Sequence, residues 1–278
     1  MKKTIVAAAV AALTAAPAFA DVTISGAVQI EAGERNAASS GAATSNYTTK
    51  SDIFFKGSED LGNGMKAGFV IQRTADDASA ISTSSDRFVT LSSDMGTLKA
   101  GTFEQYIEGS IGASAANDPA HDVSNEISDG ESAAQNGMAI EMSPMGGLTV
   151  GYQAGDSSDT VYAAYSNGGL TVKAAQESGN GSRDVTAMSA QFAMDGLKAR
   201  VVTVDNDDGD APVWMGVDYT MGANNIAVSK VTDGTNDGDM TVSLKHSLSK
   251  RTNVYIAHGS DDSDSTRDET LVGIKHSF

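Results

Sequence analysis

From Asp21 onward the chain is a run of short segments in which apolar and polar residues alternate, and the connections between them alternate as well, tight and then long. Period-two alternation is the mark of a strand with one apolar and one polar face. Val22, Ile24, Val28 and Ile30 interleave with Thr23, Ser25, Ala27 and Gln29. The spacing predicts further strands at 48–60, 65–76, 86–93, 97–103, 137–143, 148–155, 160–166, 170–177, 184–194, 197–205, 213–221, 224–232, 240–248, 252–259 and 269–278. That makes sixteen, with fourteen left open by the placement of boundaries. Every second connection is a tight turn, among them Leu61-Gly62-Asn63-Gly64, Asn167-Gly168-Gly169 and Asp195-Gly196, which are strong hairpin signals. The others, at 35–47, 77–85, 106–135, 178–183, 206–212, 233–239 and 260–268, are longer and mostly acidic, and only the one near 156–159 is short.

This asymmetry constrains the fold more than any composition does. Bacterial outer-membrane barrels have an even number of strands, short periplasmic turns and longer external loops, with apolar residues toward lipid and polar ones toward the bore. The expected fold is therefore all-β: a transmembrane antiparallel up-and-down β-barrel over residues 21–278. Residues 1–20 read as a secretory signal peptide. Met1-Lys2-Lys3 is a basic start, an apolar run follows, and Ala18-Phe19-Ala20 is a small-residue cleavage site. Removal of Lys2 and Lys3 leaves 17 basic residues against 36 acidic, a formal charge of −19. Nucleic acid is not an expected partner, because phosphate binding needs basic patches. An exported chain without cysteine takes no stability from disulfides.

The longest connection, 106–135, lacks a sustained strand pattern, and a stretch of that length is usually functional or disordered. It is acidic: read from Glu104 it carries Glu104, Glu108, Asp118, Asp122, Glu126, Asp129 and Glu131. By order it is the third external loop. The expectation is that it folds into the barrel and narrows the bore. Strand parity places the strand cations. It puts Lys56, Lys99, Lys173, Lys198, Arg200, Lys245 and Lys275 opposite apolar neighbours, hence toward the bore. Arg73 and Arg87 share parity with apolar neighbours, so they sit at strand ends near headgroups or behind a register shift.

The segment Asp52-Ile-Phe-Phe-Lys-Gly-Ser-Glu-Asp-Leu-Gly-Asn-Gly-Met-Lys-Ala67 resembles the F-K-G-x-E-D-L-G-N-G-x-K-A hairpin of the general diffusion porins of Gram-negative outer membranes. The stretch from Arg87 to Gly101 resembles that family's next hairpin, and the terminal Phe278 matches the aromatic C-terminus by which such barrels are recognised for insertion. The resemblance implies a sixteen-stranded barrel, usually a homotrimer, embedded in outer-membrane lipid and lipopolysaccharide, with its third external loop folded inward as a constriction. It implies wall cations at Lys56 and Lys99, with Arg73 and Arg87 as further candidates. Two departures bear on selectivity. Thr102 stands where the family often has arginine, and Ser114-Ala-Ala-Asn-Asp-Pro-Ala120 stands near the place of its P-E-F-G-G element.

The function expected is passive diffusion of small hydrophilic solutes and ions with weak cation selectivity, and no enzymatic activity. The alternatives are an outer-membrane barrel enzyme, such as a protease or lipase, and an exported adhesive or structural β-protein. No Ser/His/Asp grouping stands out in the sequence to support the enzyme. His121, His246, His258 and His276 are scattered without metal spacing, and no cofactor is expected. The acidic clusters at 205–210 and 261–264 lack the spacing of a designed calcium loop and are expected to bridge Ca2+ weakly at most. Trp214 and the tyrosines suit the interfacial girdles.

Overall fold

The computed structural model describes residues 21–35, 44–76, 86–111, 134–179, 184–206, 211–232, 238–260 and 268–278. The expected signal peptide and most of the external connections lie outside the described residues. The strands are β1 (Asp21–Arg35), β2 (Thr44–Gly62), β3 (Met65–Asp76), β4 (Arg87–Ser93), β5 (Gly96–Phe103), β6 (Gln135–Met145), β7 (Leu148–Gly155) and β8 (Ser158–Asn167). They continue with β9 (Leu170–Gly179), β10 (Val185–Met194), β11 (Leu197–Asp205), β12 (Val213–Met221), β13 (Asn224–Thr232), β14 (Met240–Ser247), β15 (Thr252–Ser260) and β16 (Glu269–Ser277). Each pairs antiparallel with the next, and β16 pairs with β1 to close the barrel. Sixteen is the count, and fourteen is set aside. The first two strands reach further toward the external end than the alternation predicts, to Arg35 and from Thr44, and β6 starts at Gln135.

Local chemistry fixes the tight turns. Asn63 (φ 53°) and Gly64 (φ 76°) both adopt left-handed backbone, as do Asp195 (φ 48°) and Gly196 (φ 84°). Two consecutive positive φ values make the primed turn whose twist matches the flanking strands, and Asn, Asp and Gly tolerate it best. The seam between first and last strands is closed at the chain end. The Phe278 amide donates to the Gly26 carbonyl at 2.9 Å, and the Gly26 amide donates to the Phe278 carbonyl at 3.1 Å.

Alternation then sorts the faces. Val22, Ile30, Val89, Val161 and Val272 are exposed on the outer surface, whereas Gln29, Glu31, Thr160, Asp218 and Thr241 are buried in the bore. Arg73 pairs with Ile53, and Arg87 pairs with Ile71 and Thr102; the register shift in the β2–β3 pairing lies at Asp60/Gly62, at the opposite end from Arg73. Both arginines are therefore on the outer face and not on the pore wall. Arg87 opens β4 and Arg73 lies three residues from the end of β3, so both meet the external rim, where headgroups solvate a charge that lipid would not. Tyr165, Phe192 and Tyr219 project outward near the short-turn end and form the expected girdle on that side. Trp214 does not join it: it is fully buried inside the barrel.

A Cβ on Gly26 would press into the Asp52 carbonyl and the Phe278 ring. Overpacking of this kind costs about 1–3 kcal/mol. Gly26→Val is expected to lower the temperature at which the folded barrel loses its compact mobility on unheated-versus-heated gels. Gly146→Val, at a turn with nothing nearby, should leave it unchanged.

Candidate functional site

Among the described residues the bore is lined mainly by polar side chains, with a small apolar cluster at Tyr255, Ala257 and Leu271 and a larger one on another stretch of wall. On the inner face of β9 to β13, Ala175, Val185, Ala187, Val202, Val204, Trp214 and Val231 form a contiguous apolar surface. Water in a pore would meet that surface at a cost of roughly 25 cal/mol per Å². The described start of the third external connection packs against it. After β5 the chain turns into the bore and forms a π-helical turn, Ile107–Ile111, which packs on β9 and β10. Ile107 and Ile111, four residues apart and on one side of the turn, are both fully buried in the apolar cluster. Each contributes about 1.5–3 kcal/mol by leaving water.

Polar contacts fix the register of that docking. The Glu104 amide donates to Asp86 Oδ1 at 3.2 Å, and the Tyr106 amide donates to Gln153 Oε1 at 2.8 Å. The Tyr106 ring stacks on Tyr162 with centroids 3.7 Å apart and planes 11° apart. Gln105 is buried and accepts from Thr160 Oγ1 at 3.0 Å. At the far end of the turn, Lys173 Nζ donates to the Ser110 carbonyl at 2.7 Å and Arg200 Nη2 to the Ile111 carbonyl at 2.6 Å. Where the loop rejoins the wall, Gln135 bonds Ser158 through its amide, with Nε2 donating to Oγ at 2.9 Å and Oε1 accepting from the backbone at 3.1 Å.

Between the turn and the wall lies a chamber of about 400 Å³. Its charged lining is Asp86, Glu104, Glu141 and Lys99. Lys99 sits over the Phe88 and Phe103 rings, 4.8 and 4.2 Å from their centroids, a cation–π arrangement that orients the ammonium. Tyr162 donates to Glu141 Oε2 at 3.0 Å. Withdrawal from water, and then the Asp86 carboxylate, push the Glu104 carboxyl above the usual carboxylate range, against the pull of Lys50 and Lys99. Desolvation, with Glu141 second, pushes the Tyr106 phenol up to about 12, so it stays neutral over its stacked partner.

The site expected from sequence is thus partly assembled. Glu104 faces the chamber and Glu108 lies half-buried in the turn. Asp118, Asp122, Glu126, Asp129 and Glu131 lie outside the described residues. Lys99 borders the chamber, and Lys56 is on the bore side of β2, 4.8 Å from the Phe54 ring centroid. Lys173 and Arg200, by contrast, each donate to a backbone carbonyl in the described part of the loop. Parity also places both in the bore. Trp214 shares parity with Gly216 and Asp218, which was the available sign that it faces inward.

A model of the Gram-negative porin family matches residues 7–266. The chain belongs to that family. The porin also aligns with solved structures of Rhodopseudomonas blastica porin variants. One tryptophan-substituted variant is 15% identical with a TM-score of 0.73, covering 93% of this chain and 100% of that one. A second, a lysine-substituted variant, is 14% identical with a TM-score of 0.74 over the same shares. At this identity the likeness establishes the fold. A search of curated proteins finds no match. Fold and family together make this an outer-membrane porin channel.

Because the Glu104 carboxyl is held above its ordinary range, acidification neutralises it before ordinary carboxylates. Any cation preference of the porin should therefore begin to decline, as pH falls from neutral, before the ordinary carboxylates titrate. Reversal potentials recorded over a series of pH values falling from neutral check this, and Glu104→Gln should show a smaller change over the same interval.

Proposed function

We propose that this porin is a water-filled channel for passive diffusion of small hydrophilic solutes and ions, with a weak preference for cations. The observation that carries the reading is the docked loop. A segment of the third connection lies inside the bore, so traffic passes a narrowed, charged stretch instead of an open tube. Charged side chains that line a pore set its ion preference. Lys173 and Arg200 direct their charge into loop carbonyls, while Glu104 and Asp86 face the chamber. The excess of acids along the chain adds a field that concentrates cations at the mouth. The three described histidines in strands support a channel over an enzyme: His246, His258 and His276 each bond an Asn or Thr side chain on the outer face.

The same reading takes residues 1–20 as a cleaved signal peptide, Phe278 as the insertion signal, and lipid, lipopolysaccharide and two further copies of the chain as partners. Weak calcium bridging by the acidic external connections is part of it. These proposals rest on the sequence and on family membership.

Planar-bilayer recording of the purified protein under a salt gradient tests the central part. Stepwise conductance with a reversal potential on the potassium side is the expected result. A clear chloride preference would refute the selectivity, and no conductance at all would refute the channel.

A further inference from the structure

The contacts at the end of the π-helical turn have a consequence for how the constriction is held. The last carbonyls of a helical turn have no partner within it and carry the negative end of its dipole. Here they are pushed against an apolar wall. Two cations from strands on either side of β10, Lys173 on β9 and Arg200 on β11, reach consecutive carbonyls, Ser110 and Ile111. The Arg200 guanidinium also lies 5.9 Å from the Trp214 ring centroid, over the apolar seat itself. Both cations are half-buried beside the turn.

We propose that Lys173 and Arg200 are positioning residues for the pore: together they latch the third external loop onto the apolar seat, and so set the width of the bore. The apolar contacts of Ile107 and Ile111 supply attraction without direction. The two charged hydrogen bonds supply direction, because donors on two different strands can reach two adjacent carbonyls in only one placement of the turn. The latch also determines where these charges act. In the docked loop they are directed at carbonyl oxygens, and in a released loop they would face the lumen. The proposal therefore links loop position to ion preference through the same pair of side chains.

The chain's single tryptophan, Trp214, reports on the seat independently of conduction. It is fully buried and belongs to the same apolar cluster as Ile107 and Ile111. Loss of one charged hydrogen bond shifts the ratio of docked to released loop by roughly 10- to 100-fold. The test uses Lys173→Gln, because among the described contacts Lys173 does not touch Trp214. The full mature protein is folded in detergent and its Trp214 emission is quenched with acrylamide. In parallel its single-channel conductance is recorded.

The expected result is a higher quenching constant and a larger, noisier conductance for Lys173→Gln, with Lys173→Arg close to wild type in both. Arg200→Lys, judged by conductance alone, should likewise stay close to wild type. Wild-type quenching and conductance in Lys173→Gln would overturn the latch. So would a Lys173→Arg protein that behaves like Lys173→Gln, because the loop would then depend on the shape of lysine and not on a donated hydrogen bond. Quenching still decides the matter if neither wild type nor any variant conducts, in which case the channel reading fails and the latch is judged on its own.

Discussion

The arrangement depends on an apolar surface in a place where a porin's polar lumen would not call for one. Val185, Ala187, Val202, Val204, Trp214 and Val231 line the inside of one wall and must be shielded from water. Strand alternation alone cannot shield them, since the opposite faces of the same strands are given to lipid. A second element has to enter the barrel. Ile107 and Ile111 provide it, and the loop's inward course follows from burial before any charge is considered. The barrel in turn makes that burial available, because only a closed sheet presents a concave inner wall across five neighbouring strands.

Electrostatics then works within this frame. Desolvated charges need partners, and Lys173 and Arg200 find them in loop carbonyls. Lys198 finds one across the strand pair in Asp218, 3.7 Å away. Lys99 is steadied by two aromatic rings beside the Asp86, Glu104 and Glu141 carboxylates of the chamber. The loop is therefore more than an acidic flap facing a basic wall. Its backbone takes up part of the wall's positive charge, and its entry contributes carboxylates of its own.

Much of the barrel was legible in the sequence because period two and turn chemistry are local signals. Asn63-Gly64 and Asp195-Gly196 announce hairpins, and the parity of Val272, Ile274 and Phe278 separates lipid from lumen without any tertiary knowledge. The site was less legible because its determinants are not local. Arg73 and Arg87 resemble wall cations only by alignment with a family pattern; their own parity with Ile71 and Val89 put them outside. Trp214 was assigned to a girdle by residue type, although its spacing from Gly216 and Asp218 points inward. The apolar seat was hidden for a related reason. Val201-Val202 and Val204 are apolar on both faces of β11, which reads as a fully buried strand unless something fills the lumen. The matching spacing of Ile107 and Ile111 lay in a segment where no strand or long helix was expected.

The central claim is that apolar docking on the seat, and not loop charge, keeps the third external loop inside the bore. The most direct measurement is acrylamide quenching of Trp214 in the folded barrel, comparing wild type with a protein carrying both Ile107→Ser and Ile111→Ser. The account predicts a shielded tryptophan in wild type and an accessible one in the double variant, with the barrel otherwise intact on unheated gels. An equally shielded Trp214 in both proteins would contradict it.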